Sequence, residues 1–236
     1  NCIICVILYH SLTTFYVDVS PEAYLMNTMS IRMGLSMLAL GPLTLSIINL
    51  NRQKLYHQIL YLANHDSLTT TMNRRYFFEE SEKTVQSVRQ TARSVTILLL
   101  DIDHFKKIND QYGHHAGDIV LQQFTQVIAE NLRQSDLFGR LGGEEFAILL
   151  KNLSLTESNQ IAQRLCHLVY DHPITLPNNE VLHISVSIGL SYQTCPYYIP
   201  FQQLINRADD ALYEAKETGR NKLCIERQLH TVSPTN

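Results

Sequence analysis

Apolar and polar positions divide the 236-residue chain into two textures. Residues 1–17 carry no formally charged side chain, and Met33 to Leu50 (MGLSMLALGPLTLSIINL) contains no Asp, Glu, Lys, Arg or His. A run of about 18 such residues nearly crosses a hydrocarbon core of about 30 Å. Pro42 would kink a helix in water but is tolerated in a membrane one. The pattern predicts a membrane segment over 1–50: the end of one span, a short outer loop marked by Asp18, Ser20-Pro21 and Glu22, and one span at about 32–50. Arg52 and Lys54 follow the second run, so the positive-inside rule places residues 51 onward in the cytoplasm. A buried core helix with an amphipathic hairpin is the alternative. With no basic start and no small-residue cleavage site, the segment does not read as a signal peptide. Leu55, Ile59 and Leu62 are then spaced four and three apart, which predicts a helical linker over 51–65 with a two-helix seam.

Beyond Asp66, strand and helix patterns alternate. Ser94–Asp101 (SVTILLLD) is a continuous apolar run, the pattern of a buried strand, and Phe146–Leu150 is another. From Asp118 to Leu132, residues Val120, Leu121, Phe124, Val127, Ile128 and Leu132 share one helical face. Ile161, Leu165, Leu168 and Val169 mark a further helix. Leu182, Ile184, Val186, Ile188 and Leu190 alternate with polar or small residues, as in a half-buried strand. Phe201–Thr218 predicts a helix stopped at Gly219, and Asn221–Ile225 a final edge strand. This order fits a sheet flanked by helices.

Composition narrows the function. At 45% hydrophobic, 17% charged and a net charge of −3, the chain is neither disordered nor a binder of nucleic-acid polymers, although a local site could still take a nucleotide. Five scattered cysteines make no disulfide framework. Cys2 and Cys5 form a CxxC, but they lie in an apolar run with no second pair, so the larger part of the chain belongs in a reducing compartment.

Two polar clusters carry candidate chemistry. Asp101 ends an apolar strand and Asp103 follows on the same side, before His104-Phe105-Lys106-Lys107-Ile108-Asn109-Asp110. A carboxylate there is costly unless it is paired or binds a metal. Nearby lysines suit a polyphosphate with its Mg2+. A solvated basic turn beside a helix cap is the alternative. The second cluster is Arg140-Leu141-Gly142-Gly143-Glu144-Glu145-Phe146. Tandem glycines permit a tight turn between strands. If that turn brings Glu144 near Asp101, the pair makes a divalent-cation site; otherwise the segment is a plain glycine hairpin with a charged flank.

Taken together, the motifs resemble the GGDEF-domain diguanylate cyclases, with the signature spelled GGEEF at Gly142–Phe146. The resemblance runs from Asp66 to about Glu226. It rests on Asp66-Ser67-Leu68-Thr69 with Asn73-Arg74-Arg75, DIDHFKKIND at 101–110, YGHHAGD at 112–118, RLGGEEF at 140–146, SVSIGLS at 185–191 and ADDALYEAKETGRN at 208–221. It departs at Thr70-Thr71, where the family usually has Gly-Leu. The implied fold is α/β (α+β), with a central, mainly antiparallel sheet like the nucleotidyl-cyclase and polymerase palm. The implied domains are a membrane segment over 1–50, a linker over 51–65, a catalytic domain over 66–228 and a tail over 229–236. The implied reaction condenses two GTP, one per subunit of a homodimer, into cyclic di-GMP and two diphosphates. Its cofactor is Mg2+, with Mn2+ as a substitute. The implied location is the bacterial inner membrane, with the catalytic domain cytoplasmic.

Residue by residue, the resemblance makes Asp101, Glu144 and the Ile102 carbonyl metal ligands, with Glu144 also the proton acceptor and Glu145 assisting a second metal. Asn109 and Asp118 read guanine, His114 lines the nucleotide pocket, and Lys106 stabilises charge developing on the phosphates. Lys216 and Arg220, one helical turn apart, bind phosphate. Asp103 is left to a structural or supporting role. Arg133-Gln134-Ser135-Asp136 matches the family's RxxD product-inhibition site, at the end of the helix that starts near Asp118, with Arg164 as a secondary arginine. A catalytically silent sensor of GTP or cyclic di-GMP on the same fold is the alternative, and a cyclase making another dinucleotide is a third reading.

Overall fold

A computed structural model describes residues 21–90, 94–194 and 199–226. In chain order the elements are α1 (Pro21–Asn64), β1 (Met72–Asn73), α2 (Arg74–Gln90), β2 (Ser94–Ile102), α3 (Phe105–Tyr112), α4 (His114–Ala129), β3 (Leu137–Gly142), β4 (Glu145–Lys151), α5 (Leu155–Asp171), β5 (Ile174–Thr175), β6 (Val181–Leu182), β7 (Val186–Thr194), α6 (Phe201–Glu217) and β8 (Leu223–Ile225). The chain divides into two units, Asn1–Leu60 and Tyr61–Asn236.

In the first unit, the uncharged run Met33–Leu50 lies within α1. Met33, Met37, Leu38, Leu45, Ile48 and Leu50 are exposed along it. Among the described residues, no helix is long and apolar enough to cross a membrane. α1 continues through Leu55, Ile59 and Leu62 to Asn64, so the stretch read as a helical linker is helical as far as that residue. Nothing in that stretch breaks a helix: after Pro42 it holds no Pro or Gly. Residues 1–17, Cys2, Cys5 and Cys195, and the tail over 229–236 lie outside the described residues. Cys166 and Cys224 are free thiols. Burial pushes Cys166 up to about 12, with a smaller push from the Asp103 charge.

The second unit is a six-stranded sheet in the order β1-β3-β4-β2-β7-β8. The four central strands pair antiparallel, while the outer pairs β1/β3 and β7/β8 are parallel. The α+β, palm-like architecture is therefore present. Strand β2 shows why its sequence is apolar throughout. Leu98, Leu100 and Ile102 pack with Val120, Phe124 and Ile128 of α4 and Leu165 of α5. Val95, Ile97 and Leu99 on the other face pack with Phe77 of α2 and Leu204, Ala208 and Leu212 of α6. A strand covered on both faces has no solvent side to make polar.

The alternating run 182–190 is divided. Val181-Leu182 pairs with Ile174-Thr175 in a separate small hairpin, and β7 begins only at Val186. Residues Val186–Ser191 are all buried, so β7 is not half-exposed. Its small polar members, Ser187 and Ser191, bond to buried carboxylates rather than water. The α4 helix runs from His114 to Ala129, starting four residues before the expected Asp118 and ending three before Leu132. Helix α2, helix α3 and the β5–β6 hairpin were not expected from the sequence.

Glycine 189 lets α6 lie against the sheet. A Cβ there would overlap the Ala208 carbonyl oxygen and the Leu212 nitrogen, and would stand 2.8 Å from Leu212 Cα. Beyond α6, Glu226 closes the sheet edge. Its backbone N–H donates to the Leu190 carbonyl at 2.8 Å. Its carboxylate accepts from Tyr192 N at 3.0 Å and Ser191 Oγ at 3.1 Å, with Arg207 Nη1 at 3.5 Å.

Gly189→Ala has to lift α6 by backbone movement, because the atoms it meets cannot rotate away. Overpacking of this kind costs about 1–3 kcal/mol. The expected outcome is an urea midpoint lowered accordingly, with an unchanged m-value.

Candidate active site

Strand pairing assembles the site. In the β2/β4 register Asp101 stands opposite Glu145, and in β2/β7 opposite Ser187. The β3–β4 turn is Gly143-Glu144, with an irregularity between Arg140 and Gly142. Gly143 has φ +47°, a conformation that carries little cost only without a side chain. The turn folds against the end of β2, where Ile102 N donates to the Glu144 carbonyl at 3.3 Å. Asp101, Glu144 and Glu145 are thus gathered at one end of the central strands, as expected for the first two.

A single cation pairs with the buried member of that group: Lys216 Nζ lies 2.6 Å from Asp101 Oδ2. Burial is the main cause that raises the Asp101 carboxyl above its ordinary value. Lys216 opposes the rise, and the Glu144 and Glu145 charges add to it. Lys216 sits in the last turn of α6, so its reach depends on the close packing that Gly189 permits.

Asp103 is only 4% exposed and is occupied by the protein. Its carboxylate accepts from Ser185 Oγ at 2.6 Å, Ser187 Oγ at 2.7 Å and Asn221 N at 3.0 Å. These bonds tie the end of β2 to β7 and to the chain after α6, which is the supporting role left open for it. Asp101 and Asp103 are therefore two chemically different carboxylates two residues apart.

The turn carrying Glu144 is held from a second direction. Arg140 donates from Nε at 3.0 Å and Nη2 at 2.8 Å to the Gly143 carbonyl, and from Nη1 at 3.0 Å to Asp66 Oδ1. Asp66 Oδ1 also accepts from Thr69 N at 2.9 Å and Thr69 Oγ1 at 2.7 Å. Burial alone would raise the Asp66 carboxyl; the Thr69 and Arg140 bonds outweigh it and hold the group below its ordinary value. Sequence reasoning gave Arg140 no role. Its position two residues before the glycines was the available signal. Thr70, where the sequence departs from Gly-Leu, sits at φ +60°, a conformation that strains a β-branched residue and suits glycine.

The other expected residues lie nearby in sequence order but not in one contact network. Asn109 and Lys106 are on α3, and His114 and Asp118 are in the first two turns of α4, with Lys106, His114 and Asp118 exposed. Arg220 is not on the helix with Lys216. α6 ends at Glu217, and Arg220 lies past it at φ +59°, its N–H closing the helix end on the Ala215 carbonyl. Glycine at 219 and this wrap stop the helix before Arg220. Arg133 and Asp136 likewise lie beyond α4, in a turn rather than on the helix. Asp136 Oδ2 accepts from Arg133 N at 3.0 Å, and Arg164 Nη2 donates to the Asn131 carbonyl at 3.1 Å. That bracing pattern is a local turn closing on itself, which a helix would not allow.

Among the described residues, no three His, Cys, Asp or Glu side chains are already arranged to hold a metal. The donor set at the strand ends nevertheless fits a hard divalent cation. It offers a buried carboxylate with two further carboxylates close enough to add to its rise, and Mg2+ commonly takes only one or two protein carboxylates and draws other ligands from phosphates and water.

A family profile described as "Diguanylate cyclase, GGDEF domain" matches residues 63–222. The chain belongs to the GGDEF family. Probable diguanylate cyclase DgcT of Escherichia coli is 38% identical over 169 residues, covering 70% of this chain and 36% of that protein. Among solved structures, the coiled coil and GGDEF domain of DgcB from Caulobacter crescentus, in complex with c-di-GMP, is 26% identical with a TM-score of 0.72, covering 78% of this chain and 97% of that one. The active GGEEF domain of a diguanylate cyclase from Vibrio cholerae is 33% identical with a TM-score of 0.61, covering 66% and 97%. The chain spans 36% to 53% of the length of the curated relatives it matches.

Asp66→Asn should loosen the GGEEF turn. A lowered carboxyl contributes stability above its unfolded-state value and loses it as the pH falls through the folded-state one. The variant is therefore expected to be about 1–2 kcal/mol less stable at neutral pH, allowing for partial exposure. The gap from wild type should close on acidification below the ordinary carboxylate range, as read from thermal melts across a pH series.

Proposed function

We propose that this chain is an active diguanylate cyclase, condensing two GTP into cyclic di-GMP with release of two diphosphates. The observation that carries the reading is the gathering of Asp101, Glu144 and Glu145 at one strand end, with Lys216 against Asp101. A catalytically silent module on this fold has no use for three crowded carboxylates, which destabilise one another.

Asp101, Glu144 and the Ile102 carbonyl would hold Mg2+, or Mn2+ in its place, and Glu145 would assist a second ion. When bound, the metal supplies Lewis-acid neutralisation of phosphate charge. The chain's own groups do the rest. Glu144 accepts the proton of the attacking 3′-hydroxyl. The 3′ oxygen, freed of its proton, bonds to the α-phosphorus of the GTP held by the partner subunit as the bond to diphosphate breaks. Lys106, Lys216 and Arg220 offset charge on the phosphates. Lys216 exchanges Asp101 for a phosphate oxygen as the site fills. Asn109 and Asp118 read the guanine edge, since an Asp accepts from N1–H and N2–H2 and an amide can both donate and accept. His114 lines the same pocket. Two such sites must face each other, so the working form is a homodimer.

Product inhibition is part of the proposal. Arg133 and Asp136 flank one turn, and Arg164 is tied to the same end of α4. An Arg fork with a neighbouring carboxylate suits a guanine edge or a phosphate of cyclic di-GMP. Membrane attachment of residues 1–50 at a bacterial inner membrane, with the GGDEF domain cytoplasmic, is supported by the charge-free run at 33–50 and by Arg52 and Lys54 after it.

The deciding experiment is incubation of the full chain with Mg2+ and GTP, then with ATP, identifying the products. Cyclic di-GMP from GTP alone is expected; no product, or a product from ATP, overturns the reading. In the same assay Glu144→Gln should lose activity by more than about a hundredfold while keeping its melting temperature, the loss of one transition-state electrostatic contact. Arg133→Ala should shift inhibition by added cyclic di-GMP about tenfold or more upward in concentration.

Membrane attachment is checked by fractionating expressing cells. The full chain is expected in the detergent-extractable membrane fraction and a version beginning at residue 51 in the supernatant. A full chain that stays in the supernatant without detergent would contradict it.

A further inference from the structure

Gly117 lies one residue before Asp118, buried within α4, opposite Asn109 on α3. A Cβ at this position would overlap Asn109 Oδ1, stand 3.0 Å from Asn109 Cγ and 3.2 Å from Phe105 Cζ. The backbone does not call for glycine here. Gly117 is not among the residues with positive φ, and glycine is the poorest helix former after proline. What the position requires is empty space, and the group occupying that space is the Asn109 carboxamide. Phe105 cannot yield, because it is a buried member of the core. A side chain at 117 would therefore displace Asn109.

We propose that Gly117 is a positioning residue for nucleotide selectivity: the space left by its missing side chain seats the Asn109 carboxamide beside Asp118, so that the two present one fixed pattern of donors and acceptors to a purine edge. This rests on the reading of Asn109 and Asp118 as the guanine-recognising pair, and it adds what holds that pair in register. Among the described residues no partner takes a hydrogen bond from the Asn109 side chain, so the shape of the floor beneath it sets where the amide points. A base with N–H groups beside a carbonyl then meets matching partners, and adenine leaves them unpaired.

A four-member cycle tests this with the full chain: wild type, Gly117→Ala, Asn109→Ala and the double variant. Each is measured for binding of a non-hydrolysable GTP analogue with Mg2+, for the matching ATP analogue, and for melting temperature. Gly117→Ala is expected to weaken GTP-analogue binding about two- to tenfold, the range of one displaced hydrogen bond. The preference over the ATP analogue should narrow. In the Asn109→Ala background the same change should cost no further affinity. There it should also raise the melting temperature, since alanine is the better helix former once nothing stands in its way. In the wild-type background it should lower the melting temperature or leave it unmoved.

Equal affinity losses in both backgrounds, or an unmoved selectivity ratio beside a weakened Asn109→Ala, would overturn the positioning role while leaving the guanine reading intact. Unchanged binding in Asn109→Ala would overturn the guanine reading and this inference with it. Should Gly117→Ala fail to fold, a folded double variant that binds like Asn109→Ala supports the inference, and an unfolded one overturns it.

Discussion

Like charges resist being brought together, and the end of this sheet at the GGEEF turn brings three carboxylates to one place. Burial is the main cause that raises the Asp101 carboxyl, and the neighbouring Glu144 and Glu145 charges add to the rise. The surrounding architecture can be understood as the means of holding them there. Lys216 arrives from α6 to neutralise the buried member. Arg140 clamps the glycine turn from the side. Paired antiparallel strands fix which residues face which. An arrangement that is costly in isolation and yet braced from three directions is one that a cation and a polyphosphate would relieve.

The bracing divides labour between neighbouring acids. Asp101 faces the turn and Lys216, whereas both oxygens of Asp103 accept from the protein, from two serines and a backbone N–H. Neutral hydroxyls and an amide are enough to keep the second carboxylate buried without a cation. Ser185 and Ser187 thus lock β7 to the end of β2, so the strand opposite the site cannot slide in register without breaking a carboxylate's hydrogen bonds.

Much of this was legible in the sequence, and the parts that were not have physical reasons. Continuous apolar runs at 94–101 and 146–150 located the central strands, because a strand covered on both faces leaves a period-free signature. The same covering misled at 182–190: Ser185 and Ser187 alternate there as they would on a solvent face, but both donate to the buried Asp103. Asp101 and Glu144 could be paired by motif because register does the joining. Arg140 was harder, since its partner Asp66 lies 74 residues away and nothing local marks the pairing. Arg133 and Arg220 were placed on helices because spacings of three and four look helical, but helix ends are set by capping, and both residues fall just past one. Gly117 reads as an unremarkable residue until Asn109 is seen lying over it.

The bonds made by Glu226 have a practical meaning for how this protein can be handled. Its buried carboxylate is the last fastening among the described residues, tying the chain after β8 to Ser191 and Tyr192 of β7 and to Arg207 of α6. A fusion partner, affinity tag or fluorescent reporter joined after this residue leaves the fastening whole. One joined even a single position earlier removes a carboxylate that accepts from Ser191 Oγ and Tyr192 N, and the β7–β8 edge would open beside those residues, at the end of the strands away from Asp101.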